Sequence, residues 1–208
     1  MPYIISFITI AVALVLITLI LFFYPRIKSK KLKKDCVVQY GKRIYKYALH
    51  NDLYLINKLE LKSNDDQILR VDHLLFGTKY IYLIKDYYLP GQIFAKEQDR
   101  SFVYKSNEKN SKKVYIDNPM IKNKQLVNKV AANIGLDRKL FISIVLYNEE
   151  TDFVKFVSTS KDSFMVKTTK LKRLLDSLES QKISPLNDSQ LKHAVKDVAK
   201  LNLRNNEK

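Results

Sequence analysis

"RVDHLLFGTKYIYLIKDYYLPGQI", residues 70–93, decides how this chain is read. Its opening, together with Ile68 and Leu69, is an aliphatic run that predicts a strand ending at Gly77. Gly77-Thr78 predicts a tight turn, and "KYIYLIKD" predicts a second strand running back beside the first. Residues at i and i+2 of a strand share a face. Lys85 and Tyr87 therefore point one way and Asp86 the other, with Asp72 and His73 on the neighbouring strand. Gly91 closes the stretch.

Working outward, "DLYLINKLELK" (52–62) alternates with period two and reads as the strand before. "GQIFAK" (91–96) and "SFVYKS" (101–106) read as two short strands, and residues 105–113 as a polar loop. A helix follows with clear punctuation. Asn118 suits the cap, Pro119 the first turn and Gly135 the stop. Met120, Ile121, Val127, Val130, Ala131 and Ile134 give it one apolar face. "KLFISIVLY" (139–147) is nearly all apolar and predicts a buried central strand. "FVKFVS" and "SFMVK" read as short strands, and helices are expected at 168–180 and 188–201. An amphipathic helix is expected at 35–50, with Ile44, Ala48 and Leu49 on its apolar side. The order predicts an α/β fold, a sandwich built around a mixed sheet.

The N-terminal part has another character. Residues 3–24, "YIISFITIAVALVLITLILFFY", contain no charge. As a helix they would reach about 33 Å, the thickness of a bilayer core. A cleaved signal peptide would need a basic leader and a small-residue cleavage site, and "PRIKSKKLKK" follows instead. An uncleaved transmembrane anchor is expected. Arg26, Lys28, Lys30, Lys31, Lys33 and Lys34 lie after the run, which places the N-terminus outside and the rest in the cytoplasm. The same bases would also attract anionic lipid. The expected division is an anchor with its basic flank at 1–34 and a cytoplasmic domain at 35–208.

The net charge is +16 over 208 residues. Without those six bases, and with no acid before Asp35, +10 remains on residues 35–208. That surplus suits nucleic acid, and it is also what a Lys-, Ile- and Asn-rich composition from an AT-rich genome would give. One cysteine, Cys36, excludes an internal disulfide. Four glycines, with no phosphate-cradling loop, nucleophile elbow or zinc motif, argue against a nucleotide cofactor and other enzyme classes.

Four pieces in this order, "GKRIYKYAL" (41–49), "RVDHLLFG" (70–77), "YLIKDYYLPGQI" (82–93) and "NPMIKNKQLVNKV" (118–130), resemble the nuclease-related domain family, NERD. The likeness covers about residues 40–147. It implies a restriction-endonuclease-like fold in which an Asp and a Glu on neighbouring strands hold Mg²⁺, while a Lys two residues beyond the Glu orients the attacking water. It also implies a membrane-anchored bacterial arrangement. Aligned on Gly91, Asp72 keeps its place, Lys85 stands where the family has Glu, and Tyr87 stands where it has Lys. Lys42 takes the place of a helix Glu and Lys122 that of a Gln, while Asn118, Pro119 and Asn123 match. The resemblance therefore implies degenerate catalytic positions at Asp72, Lys85 and Tyr87.

Two arrangements stay open from sequence. Asp72 pairs with Lys85 as a structural ion pair, or a bulge turns Asp86 back to join Asp72 in a rearranged metal site, with Glu97 or Asp99 swinging in. His73 is either a partly buried strand histidine or a general base without a partner that the sequence can place. Tyr80, Tyr82, Tyr87, Tyr88 and Tyr104 are either strand packing or a base-stacking platform. The expected function is a membrane-tethered, catalytically degenerate module that binds DNA, RNA or a protein partner, with Lys42, Lys122 and Lys124 as candidate nucleic-acid contacts. No cofactor is expected. The alternatives are an active Mg²⁺-dependent nuclease using Asp72, and a structural or lipid-associated membrane protein.

Overall fold

The computed structural model describes every residue except Met1, Asn64, Lys155, Val157 and 206–208, and only the backbone of 2–14, 16 and 21–30. The chain divides into two compact units, residues 1–39 and 40–208. One helix, α1 (Pro2–His50), supplies the described residues of the first and opens the second. The helix expected at 35–50 is thus the last part of a longer one. In the first unit Lys31, Lys33 and Lys34 are exposed. Most side chains of the uncharged run, and those of Arg26, Lys28 and Lys30, lie outside the described residues. Among the described residues, no helix is long and apolar enough to cross a membrane.

The second unit is a mixed α/β domain with two sheets rather than one. Strands β1 (Tyr54–Lys62), β2 (Ile68–Phe76), β3 (Ile81–Tyr87), β7 (Phe141–Tyr147) and β9 (Ser163–Lys167) form a five-stranded sheet in the order β1-β2-β3-β7-β9. The first three are antiparallel, and β3, β7 and β9 are parallel. Strands β4 (Gly91–Phe94), β5 (Ser101–Ser106), β6 (Val114–Asp117) and β8 (Thr151–Val154) form the other, ordered β6-β5-β4-β8. Helix α2 (Pro119–Ile134) precedes β7, and α3 (Leu171–Glu179) and α4 (Asp188–Leu201) close the chain.

Gly91 is where the chain leaves one sheet for the other. Its φ is +149°, and a Cβ there would run into the Lys105 carbonyl oxygen. Only glycine can bring β4 that close to β5. Strand β6 is not visible in the sequence pattern. It is an edge strand, largely exposed, with too weak an alternation to stand out from the polar loop before it.

Strand β7 is buried at all seven positions, as expected of a central strand. Asn118 caps α2 by accepting from the Met120 and Ile121 amides, and Gly135 ends it at φ +68°. The expected apolar face holds at Met120, Val127, Val130 and Ala131, but Ile121 faces out. Asn123 is buried instead. Its Nδ2 donates to the Leu83 and Ile144 carbonyls and to Ser143 Oγ, which ties α2 to β3 and β7.

Candidate functional site

The site sits at the end of β3, and strand register builds it. The turn from Gly77 to Tyr80 sets Phe76 opposite Ile81, Leu74 opposite Leu83 and His73 opposite Ile84. Continued by one step, that register brings Asp72 beside Lys85. Leu83 in turn pairs with Ser143 on β7, the residue Asn123 reaches from α2. Asp72, Lys85 and Tyr87 therefore lie on the α2 side of the sheet. His73 and Asp86 lie on the other side, where a Cβ at Gly41 of α1 would rest 3.6 Å from the His73 ring.

On the α2 side Lys85 Nζ stands 3.1 Å from each oxygen of the Asp72 carboxylate. Asp72 Oδ2 also accepts the Asp86 backbone N–H at 3.0 Å. The pair is about one-third exposed. Beyond it, the Tyr87 ring stacks on Tyr147 at 5.7 Å. Burial raises the Tyr87 hydroxyl above its usual range, with Lys122 pulling the other way. Lys122 donates to Asp117 at 2.6 Å, and this bond lowers the Asp117 carboxyl and raises the Lys122 ammonium.

The carboxylates of a rearranged metal site do not gather here. Asp86 keeps the regular alternation and turns away from Asp72, because β3 has no bulge at that point. Its Oδ2 meets His73 Nε2 at 2.9 Å. Glu97 holds the 158–160 loop, accepting from the Thr159 and Ser160 amides and from Ser158 Oγ. Asp99 accepts the Lys96 amide. Among the described residues, no three His, Cys, Asp or Glu side chains group as metal ligands. The donor set does not fit Mg²⁺. Asp72 is the one carboxylate on the α2 face of the β2–β3 pair, Asp86 being turned to the other, and an ammonium already bonds both its oxygens where a second hard oxygen ligand would be needed.

The expected nucleic-acid set is split by the sheet. Lys122 and Lys124 are on α2, the latter 3.1 Å from Asp162. Lys42 is exposed on α1, on the opposite face. Nor do the tyrosines form a platform. Tyr82 is fully buried and donates to Glu179, Tyr80 donates to Gln181 and Tyr104 to the Pro90 carbonyl.

His73 does have partners. Its Nδ1 is 2.6 Å from Asn57 Oδ1 and its Nε2 2.9 Å from Asp86 Oδ2, forming a chain across β1, β2 and β3. The histidine and aspartate side chains are only 7% and 4% exposed. Burial raises the Asp86 carboxyl, with the His73 hydrogen bond opposing it, and Asp86 Oδ1 is buried without a partner. Counting back from a four-residue turn would have found this pair in the sequence, since it leaves His73 and Asp86 on one face.

The fold and site define a mixed α/β domain with an aspartate on one strand of its central hairpin and two same-face positions beside it on the next. Lysine and tyrosine occupy those two positions. The family model of the nuclease-related domain, NERD, matches residues 37–148, and the chain belongs to that family. Comparison with curated proteins and with solved structures returned no match.

Proposed function

We propose that this protein is a membrane-tethered nuclease-related domain that has lost its hydrolytic chemistry and binds nucleic acid at the cytoplasmic membrane face. The observation that carries the loss of chemistry is the Lys85 ammonium on both oxygens of Asp72. A tethered monovalent cation there opposes entry of a divalent one, both by occupying the oxygens and by charge repulsion. Tyr87, in the second same-face position, is stacked and pushed away from ionisation by burial, so it supplies no base near neutral pH.

The tether rests on the uncharged run 3–24 and the bases from Arg26 to Lys34, which orient residues 35–208 toward the cytoplasm. The surplus of +10 on that part supports nucleic acid as ligand. Lys122 and Lys124 then contact the backbone on the α2 side, exchanging their ion pairs with Asp117 and Asp162 for phosphate.

The test uses the full-length chain in nonionic detergent with labelled duplex and single-stranded oligonucleotides. Binding is expected to weaken steeply between 50 and 200 mM salt, roughly tenfold or more for a few phosphate contacts. No cleavage is expected with Mg²⁺ or Mn²⁺. Absence of binding at low salt would redirect the proposal to a protein partner. Cleavage abolished by Asp72→Ala would establish an active Mg²⁺-dependent nuclease instead. A C-terminal reporter found outside the cell would refute the orientation.

A further inference from the structure

A cavity of about 400 Å³ opens on the other side of the sheet from Asp72. It lies beyond the C-terminal ends of the parallel strands β7 and β9, between the last turns of α1 and the first turn of α3. In open α/β sheets, ligands settle at this edge. Arg43, Lys46 and His50 of α1 line it, at positions that share a helix face, and Lys172 of α3 lines the far side. Tyr47 and Leu171 form its apolar wall. No side chain caps α3.

The acids nearby are already engaged. Glu149 accepts from the Thr169 amide at 2.8 Å and from Thr169 Oγ1 at 2.9 Å. Its contact with Arg43 is loose, at 4.0 Å, with both side chains nearly half exposed. Asp176 accepts from Tyr47 Oη at 3.1 Å and from Lys172 at 2.7 Å, and the Lys172 bond foremost holds its carboxyl below the usual range. Lys46 has no ion pair among the described residues. Two guanidinium or ammonium groups are therefore available at the same opening as an imidazole. Such a set neutralises a doubly charged tetrahedral anion better than a single carboxylate, and Arg43 can meet two of its oxygens at once.

We infer that this cavity is a binding site for a phosphate monoester, held by Arg43 and Lys46 with its apolar or aromatic body against Tyr47 and Leu171. The site is separate from the Asp72 face and does not depend on nucleic-acid binding there.

The test is calorimetric titration of the full-length chain in nonionic detergent with three probes: inorganic phosphate, adenosine monophosphate and a water-soluble short-chain phosphatidic acid. At least one monoester is expected to bind more tightly than inorganic phosphate. Preference for the nucleotide assigns a free phosphorylated metabolite as the source, and preference for phosphatidic acid assigns a lipid headgroup. Arg43→Ala and Lys46→Ala are each expected to weaken binding about tenfold, the worth of one charge-assisted hydrogen bond. Glu149→Gln, which frees Arg43, is expected to strengthen it, and Lys200→Ala on α4 to leave it unchanged. Unaltered melting temperatures confirm that the variants fold. Absence of saturable binding for all three probes would overturn the inference, as would binding that Arg43→Ala and Lys46→Ala leave intact.

Discussion

Replacing Lys85 with glutamate tests whether the ammonium stands in for a metal ion. Lys85→Glu removes a cation 3.1 Å from both oxygens of Asp72 and puts a carboxylate in its place. Two unit charges of like sign 4 Å apart repel by about 4 kcal/mol at an effective dielectric of 20. The original pair is one-third exposed, so its own loss contributes only about 0.5–1 kcal/mol, and solvent and side-chain rotation relieve much of the repulsion. The net cost is about 1–3 kcal/mol. At roughly 2–4 °C per kcal/mol for a domain of this size, the melting temperature falls by about 2–12 °C in chelator.

Divalent metal should then restore what the substitution removes. With 10 mM Mg²⁺ and a Kd near 1 mM, mass action returns about 1.4 kcal/mol to Lys85→Glu and nothing to the unmodified chain. Acid should help for the same reason. One carboxyl of the new pair has its folded pKa raised by the other, so the deficit is smallest below pH 4 and grows as pH rises through that value. Differential scanning fluorimetry across pH, with and without Mg²⁺, reads all three effects. If Lys85→Glu melts like the unmodified chain in chelator and is indifferent to Mg²⁺, Lys85 does not occupy a cation site and the account of lost chemistry fails.

Three further outcomes are expected. His73→Ala strips the buried Asp86 of its partner and should cost about 3–5 kcal/mol in urea unfolding at neutral pH. Burial already raises the Asp86 carboxyl, and losing the His73 hydrogen bond raises it further, so this deficit should shrink in acid and widen as pH rises through the folded value of Asp86; a deficit that ignores pH would contradict an ionised Asp86. Gly91→Ala should cost at least about 2 kcal/mol, because φ +149° and the Lys105 carbonyl leave no room for a Cβ, and a wild-type urea midpoint would show that β4 can shift away. Asn118→Ala should cost about 2 kcal/mol, since it removes the α2 cap and also the Nδ2 donations to the Glu97 and Asp99 carbonyls; Asn118→Ser, which keeps a capping oxygen and loses those donations, should fall midway, as an unfolding midpoint in urea would show.

Most elements were legible because their signals are local. Asn118, Pro119 and Gly135 bound α2, six apolar residues out of seven mark β7, and Gly77 marks the hairpin that registers β2 on β3. What stayed hidden depends on distant partners. The second sheet exists because β4 pairs with β8, some sixty residues on, and no local pattern encodes that choice. Ile121 and Asn123 trade the places their polarity suggests, because the Ser143 hydroxyl and the Leu83 and Ile144 carbonyls offer Asn123 partners inside the core. At the site, alternation alone separated Lys85 from Asp86, and the ion pair with Asp72 follows once register is known. The Asn57–His73–Asp86 chain needed β1 as well, whose register on β2 is set by the short 63–67 connection, where the Asp66 N–H donates to the Ser63 carbonyl and the Ser63 N–H to the Gln67 carbonyl.

The two faces of β3 have divergent demands, and they tolerate substitution differently. On the α1 side, His73 and Asp86 are almost wholly buried and tied to Asn57, so substituting either exposes an unpaired polar group to the core. On the α2 side, Asp72, Lys85 and Tyr87 are partly exposed to solvent, and substitutions there cost little provided the charges balance. The resemblance implies a second carboxylate and a divalent ion beside the aspartate, with a lysine beyond; on the proposed reading Lys85 stands in place of that carboxylate and Tyr87 in place of that lysine. The aspartate is neutralised either way: by a bound ion in one case, by the chain itself in the other. A strand end wired in this way neutralises its aspartate without a metal, as the proposed loss of hydrolytic chemistry requires.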